Sequence, residues 1–493
     1  MKTTAGIDLG TQSVKVMLYD FADRKIVFTT SAPLSLIKNE KGACEQTTDD
    51  WERALETCFH AIPLALKNTI VALAVSGQQH GFVPLDKNGV PLYNVKLWCD
   101  TETQNECNEL TQALGEKTII DETNNLMLAG YTAPKILWLK KNHPHAFEKL
   151  KYIMLPHDYV NFLFDGNYAM ESGDASGTAL FNPRTKLWSK KICDAIDKNF
   201  FSLLPKIISN ETVHGFVSAK ASARFGIPCS TIVASGGGDN MMSAIGSANV
   251  SAEKLTMSLG TSGTLFAYAE KPITNAQTGI AGFCSSNDAY LPLACTMNCT
   301  VATETVKKLF SLSTNEFSEL AEESDIGAGE IILLPFFSGE RFPVLPQGSA
   351  SFHFLSTANA TKANFCKAAL EAASFSLYDA FRNFQKLSLA ANEITLIGGG
   401  AKNLVWQKII ADLTNVPVQT LSIDEAASFG ACLQALAVFF KKPIAEIAKT
   451  HVAYKKNSSI MPNEIAHKKY ERAYKKYQEL VSELTKKNER VSK

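Results

Sequence analysis

Two short turns with the same core lie half the chain apart. One is Leu9-Gly10-Thr11, inside Gly6-Ile7-Asp8-Leu9-Gly10-Thr11; the other is Leu259-Gly260-Thr261, inside Ser258-Leu259-Gly260-Thr261-Ser262-Gly263. Each accompanies a β-like run. Backbone N–H groups exposed in a tight turn form a concave anion site, and glycine lets phosphate oxygens come close. Thr11 and Thr261 add hydroxyl donors. A single such turn reads as a plain hairpin. Its recurrence at half-chain spacing predicts two lobes holding a polyphosphate from both sides, with Gly10, Thr11, Gly260 and Thr261 as nucleotide-binding residues in the cleft.

At 493 residues the chain is too long for one ordinary core. Basic and acidic residues balance at 49 each, so no field of one sign favours nucleic acid or an anionic membrane. A polyanionic ligand must be held by local loops. The start has no apolar leader and no stretch is apolar enough to span a bilayer, so a cytoplasmic protein is expected. Eleven cysteines, an odd number with no C-x-x-C pair, predict free thiols in a reducing compartment. Cys295 and Cys299 lack the partners of a metal set.

Strand-like and helix-like patterns alternate in both halves, which predicts α/β layers. In the first half the expected elements are a strand over Val14 to Leu18, a helix over Thr48 to Lys67, a buried strand over Ile70 to Ser76 and a helix around Lys135 to Lys141. In the second half, Thr256 to Phe266 reads as strand–turn–strand. Helices follow over Lys362 to Phe384 and Asn403 to Leu413, with strands over Glu393 to Ile397 and Val418 to Leu421. Ser235 to Asp239 is the expected crossing between lobes. From Asn463 onward Tyr470, Tyr474, Tyr477, Val481 and Leu484 fall on one helical face, a docking stripe, and Lys486 to Lys493 read as a frayed end. The expected division is 1–240, 241–450 and a helical tail 451–493.

Strand ends in α/β proteins face the ligand crevice. Asp8 directly follows the first strand, where an exposed carboxylate could hold Mg²⁺ through water. Gly236-Gly237-Gly238 delivers Asp239 and Asn240 to the end of the strand Thr231 to Ala234. A carboxylate there suits a general base, and Asn240 can bind a neutral polyol. Gln79 and His80, flanked by Gly77 and Gly81, offer the donors and acceptors that sugar hydroxyls need. Trp98 could add an apolar wall and Asp100 a hydroxyl acceptor. Gly399, Gly400 and Asn403 could seat an adenosine group against bare backbone. No Walker A or protein-kinase motif set occurs.

This ordered set resembles the FGGY carbohydrate kinases. Further segments match that family: Tyr131-Thr132-Ala133-Pro134-Lys135 looks like its first signature, and Asp174 to Thr178 and Pro335 to Arg341 also correspond. Leu155-Pro156-His157-Asp158-Tyr159 is similar to the L-P-K-D-Y of the branch that phosphorylates D-xylulose. The resemblance runs from about residue 5 to about 440. It implies two actin-like, ribonuclease-H-type α/β domains with a ligand cleft between them, and ATP-dependent phosphorylation of D-xylulose with Mg²⁺. It also implies Asp239 as base; Gln79, His80, Asp239 and Asn240 at the sugar; Asp8 and Thr261 at the phosphates; and Gly399, Gly400 and Asn403 at the adenosine. A homodimer is common in the family. Three positions depart from its pattern: Glu102 stands where an arginine is frequent, Phe354 where the second signature has glycine, and Ala372 where glycine is common.

The mechanism so implied has sugar deep between the lobes and ATP mainly on the second. Closure around Gly236 to Gly238 excludes water and aligns the hydroxyl with phosphorus. Rival readings are a kinase for ribulose, sedoheptulose, gluconate or glycerol, or an actin- or chaperone-like ATP switch. The switch would lack the sugar loop at Gln79 and His80.

Overall fold

The computed structural model describes residues 1–273, 279–337, 339–341, 343, 345 and 348–491. Its first lobe is built on strands β1 (Thr3–Leu9), β2 (Ser13–Asp20), β3 (Lys25–Pro33), β4 (Ile70–Gly77), β5 (Val213–Phe216) and β6 (Ile232–Ala234), in the order β5-β6-β4-β1-β2-β3. The first three strands form an antiparallel meander, and β4 and β6 continue it in parallel. Gly237–Gly238 adds a further parallel rung to the end of β4.

The second lobe repeats this plan. Strands β7 (Lys254–Leu259), β8 (Gly263–Ala267), β9 (Ile280–Cys284), β10 (Tyr290–Thr296), β11 (Glu393–Ile397) and β12 (Val418–Thr420) lie in the order β9-β10-β8-β7-β11-β12. Again the first hairpin is antiparallel and the last two strands are parallel to its first strand. The two Leu-Gly-Thr turns therefore occupy the same place in each lobe, joining the first strand to the second.

Alternating side chains explain how the first sheet is covered on both faces. Ile7, Leu9, Val16, Leu18, Leu73 and Val75 point into one core, which includes Trp51, Leu55 and Phe59 of helix α1 (Thr48–Ala61). Met17, Tyr19, Ala72 and Ala74 point to the other. Pro63 ends the helical run expected to reach Lys67, leaving a single turn at Leu64–Lys67. Helix α2 (Thr132–Asn142) carries Pro134 in its first turn, as the sequence predicts.

Helix α3 (Asp239–Gly246) leaves the glycine run and α4 (Lys362–Lys386), α5 (Leu404–Thr414) and α6 (Ala426–Phe440) serve the second half of the chain. Yet α6 packs on β1 and β4 of the first lobe and against α3. The chain thus crosses between lobes a second time, which no sequence signal had marked. The crossing is tight: a Cβ on Gly430 would lie 1.8 Å from the Met242 carbonyl oxygen, and one on Gly6 1.9 Å from that of Ser428. Gly6 therefore serves packing rather than phosphate binding.

Helix α7 (Glu464–Val491) closes the second lobe. Tyr470, Tyr474 and Tyr477 are buried in its core, with Val481 and Leu484 packed at the edge. The Tyr477 hydroxyl lies 2.9 Å from Ser376 Oγ on α4. The predicted stripe is thus a docking face. The helix runs on to Val491, past the point where fraying was expected, and 492 and 493 lie outside the described residues. Among the described residues no helix is long and apolar enough to cross a membrane.

Phe354 keeps the backbone a glycine would take. It follows the strand Ser351–His353 with φ of +61°, and its ring is 57% exposed. No shifted turn is needed; the side chain points outward and the left-handed backbone carries strain of roughly 1–2 kcal/mol. Phe354→Gly is expected to raise stability by about 0.5 kcal/mol, the strain relief being offset in part by glycine's greater unfolded entropy. Thermal unfolding of the two proteins measures it; a lower Tm for the glycine variant contradicts the strain argument. Ala372 is buried in α4 without distortion.

Candidate active site

The glycine run after β6 is buried and clamped. Gln434 on α6 accepts the Gly236 N–H at 2.8 Å and donates to the Gly236 carbonyl at 3.0 Å. Gly236 has φ of +69°, and an added Cβ would lie 2.4 Å from the Val75 carbonyl oxygen. A Cβ on Gly237 would lie 2.3 Å from Ser286 Oγ. These glycines are needed for close approach, not for looseness. They set Asp239 as the first residue of α3, partly exposed at the C-terminal end of β4, where the glycine rung is paired.

Asn240 gathers the site. Its side-chain amide donates to Asp239 Oδ1 at 3.1 Å and to Gln79 Oε1 at 3.0 Å, while its oxygen accepts the Thr264 hydroxyl from β8 of the second lobe at 3.2 Å. Residues from both lobes therefore converge on Asn240, beside Asp239. Burial, together with the nearby charges of Asp8 and Asp174, raises the Asp239 pKa to about 7. Asp8 lies within β1, next to its last residue, rather than beyond the strand as expected, and accepts the Ser76 hydroxyl at 3.0 Å. Burial raises its pKa to about 6, against the opposing effects of Lys15 and Ser76. The charge of Asp8 is among the causes that raise the Asp239 pKa, so the two carboxyls lie near each other.

The sugar-loop residues lie beside this pair. His80 adopts φ of +64°, a strained conformation for a non-glycine residue and of the kind found at ligand sites. Its carbonyl is held by Lys135 Nζ at 2.7 Å and by the Thr132 hydroxyl at 3.2 Å, both on α2. That is the physical task of the first signature motif, a role the sequence reading had not assigned. The His80 ring packs edge-on to Tyr131 at 4.7 Å, and burial holds its pKa well below the usual imidazole value. Among the described residues Gln79 Nε2 and His80 Nδ1 are buried without a close hydrogen-bond partner, with Gln79 near Asp174 and His80 near the Gly177 backbone.

Behind them His157 is wholly buried between two carboxylates, with Asp174 at 2.8 Å and Asp158 at 2.9 Å. Burial opposes its charge, but the two aspartates outweigh it and hold the imidazole protonated well above its usual range. A cation is thereby kept where relatives of this pattern carry lysine.

Three expected contacts fall elsewhere. Asp100 is fully buried and accepts the Cys44 N–H at 2.8 Å and the Glu102 N–H at 3.1 Å, with Lys96 Nζ at 3.3 Å. It builds the rim and does not face a sugar. Glu102, the anion in place of arginine, is matched by the same Lys96 at 2.5 Å. Asn403 caps α5, accepting the Trp406 N–H at 3.1 Å and donating to Ser318 Oγ at 3.0 Å, so its side chain is committed to the fold. The Thr11 hydroxyl donates to Gln78 Oε1 and accepts from the Trp98 indole, each at 3.0 Å, so its proton is engaged. Trp98 stands half-buried at the rim, its carbonyl accepting from Arg341 of the second lobe at 3.2 Å.

In the second lobe the carbonyls of Gly260 and Thr261 accept the N–H groups of Thr300 and Cys299 at 2.9 and 3.1 Å. This anchors the turn by its carbonyl side and leaves Thr261 exposed. After β11, Gly398 and Gly399 present exposed backbone, and a Cβ on Gly399 would meet nothing within 4 Å. Gly400 is closed off by Trp406 and Leu259. A shallow pocket beside this run is lined by Gly398, Ala401, Lys402, Leu421 and Asp424.

Comparison with known proteins agrees with this geometry. The model of the FGGY family of carbohydrate kinases, N-terminal domain, matches residues 3–246, and that of the C-terminal domain matches 255–438. A xylulose kinase of Haemophilus influenzae is 39% identical over 492 residues, covering 97% of this chain and 99% of its own. A crystal structure described as a xyloylose kinase from Brucella ovis superposes with a TM-score of 0.90 at 27% identity, covering 98% of this chain and 99% of its own. A gluconate kinase structure from Lactobacillus acidophilus gives a TM-score of 0.91 at 23% identity, with 98% of each chain covered; that likeness speaks to the fold alone.

Proposed function

The chain belongs to the FGGY family of carbohydrate kinases, and on that premise we propose that it transfers the γ-phosphoryl group of ATP to the terminal hydroxyl of D-xylulose, with Asp239 as general base. The observation that carries this reading is the network around Asn240, which joins Asp239 to Gln79 of the first lobe and to Thr264 of the second. The choice of ketose is supported by the 39% identity to a xylulose kinase.

Gln79, His80 and Asn240 bind and orient the sugar hydroxyls, and Trp98 walls the mouth. The backbone at Gly398 and Gly399 receives the adenosine part, and the turns at Gly10 and at Gly260-Thr261 face the phosphates. Asp8 would hold Mg²⁺, with Asp239 beside it; the ion would neutralise phosphate charge. Lobe approach excludes water and brings the hydroxyl into line. Asp239 then takes the hydroxyl proton on its carboxylate as the bond to phosphorus forms.

A coupled ADP-release assay over a panel of sugars tests the substrate. D-xylulose is expected to give the highest kcat/KM; faster turnover of ribulose, gluconate or glycerol would overturn the ketose while leaving the family intact. The raised Asp239 pKa also predicts the pH profile. A base must be ionised to act, so kcat/KM should fall as pH drops through about 7. A cation beside Asp8 favours the carboxylate, so the limb for kcat should lie at lower pH than that for kcat/KM. The same shift makes this carboxyl's stabilising contribution greatest in acid, and lost as pH rises through about 7. An acid limb at the ordinary carboxylate pKa in kcat/KM contradicts the assignment.

A further inference from the structure

Cys44 and Cys99 are 55 residues apart in sequence, yet their sulfurs lie 3.1 Å apart. All eleven cysteines are free. Two hydrogen bonds already hold these segments together: the Leu97 N–H donates to the Cys44 carbonyl at 2.9 Å, and the Cys44 N–H donates to the Asp100 carboxylate at 2.8 Å. Cys44 is buried and Cys99 is partly exposed. From these positions we propose that Cys44 and Cys99 form a peroxide-oxidisable dithiol at the rim of the cleft, closing to an intramolecular disulfide.

Cys99 is the attacking sulfur. The Cys44 hydrogen bond stabilises its thiolate, helped by the charges of Lys135 and Lys38 against the effect of burial, and brings its pKa to about 7. The thiolate attacks one oxygen of hydrogen peroxide, the O–O bond breaks, and hydroxide leaves, giving a sulfenic acid. The Cys44 sulfur then attacks the Cys99 sulfur; the S–OH bond breaks and water departs with the Cys44 proton. Peroxide is reduced by two electrons and the two thiols are oxidised by two. The sulfurs close from 3.1 Å to about 2.05 Å, a movement of the order of one ångström.

The bond would tie together two parts of one network. Cys44 starts the strand Cys44–Gln46, and Gln46 donates to the Thr11 carbonyl at 2.8 Å and accepts from Gln78 at 2.9 Å. Cys99 follows Trp98, which donates to Thr11 and meets Arg341 of the other lobe. Oxidation therefore stiffens the sugar mouth and leaves the adenosine side untouched.

The test treats the reduced full-length protein with hydrogen peroxide, blocks remaining thiols, and maps linked peptides by mass spectrometry. A Cys44–Cys99 linkage that dithiothreitol reverses is expected. In Cys44→Ser, Cys99 should stop at a sulfenic acid that dimedone traps. Absence of the linkage at a peroxide dose that oxidises the exposed Cys229 overturns the proposal, as does direct passage of wild-type Cys99 to sulfinic acid. On the same sample, KM for the ketose should rise by about threefold or more on oxidation and recover on reduction. A fully linked enzyme with unchanged ketose KM overturns the effect on the mouth. Lack of any sugar turnover in the reduced form would instead count against the kinase reading, while the mapping still decides the dithiol.

Discussion

Asp239→Asn is expected to lose about 10³-fold or more in kcat while still binding ketose measurably, since a general base and a positioned acceptor are removed together. The substitution keeps the side chain's size. It also keeps an oxygen to accept the Asn240 N–H, now 2.8 Å from Asp239 Oδ1, so α3 should still form. What goes is the negative charge. Its neighbours Asp8 and Asp174 both push the Asp239 pKa up, so neutralising it relieves repulsion, and stability should not fall. Titration calorimetry with the ketose separates binding from turnover. An Asn variant with near-normal kcat would remove Asp239 from the chemistry, whatever its place in the cleft.

The second large effect concerns stability. Gly430→Ala should destabilise the fold by about 3 kcal/mol or more, because overpacking a rigid contact forces backbone movement. The added methyl would lie 1.8 Å from the Met242 carbonyl oxygen, and on the facing helix a Cβ at Gly246 would lie 2.0 Å from that of Ala426. Neither neighbour is a flexible side chain, so nothing yields cheaply. Since α3 begins with Asp239, a shift of α3 against α6 also displaces Asp239, and kcat should fall with Tm. Gly399→Ala is the control: its Cβ meets open space, and Tm should not change. Equal Tm values for the two variants would mean that the helix crossing is not as tight as described.

These expectations separate what local pattern reveals from what packing decides. The placement of Asp8, Gln79, Asn240 and Asp239 in the fold was legible because each sits near a strand end or behind a glycine run. The tyrosine stripe of α7 was legible because helical period alone fixes which side chains share a face. The side chains of Asp100, Asn403 and Thr11 have protein partners that the sequence did not reveal, for a common reason. A short polar side chain near a loop has the same appearance in sequence whether it faces a ligand or caps and braces the fold. Asp100 is spent on Lys96 and backbone N–H groups, Asn403 on the start of α5, and Thr11 on Gln78 and Trp98.

By itself the sequence determined the α/β alternation, the duplicated strand–turn–strand units and the carboxylates at strand ends, because these follow from period, turn chemistry and spacing along one segment. Only the tertiary structure decided that α6 returns to the first lobe's sheet, that Lys135 holds the His80 carbonyl, and that Cys44 meets Cys99. Each is a contact between distant segments, set by shape and hydrogen bonding in three dimensions rather than by any local preference of the chain.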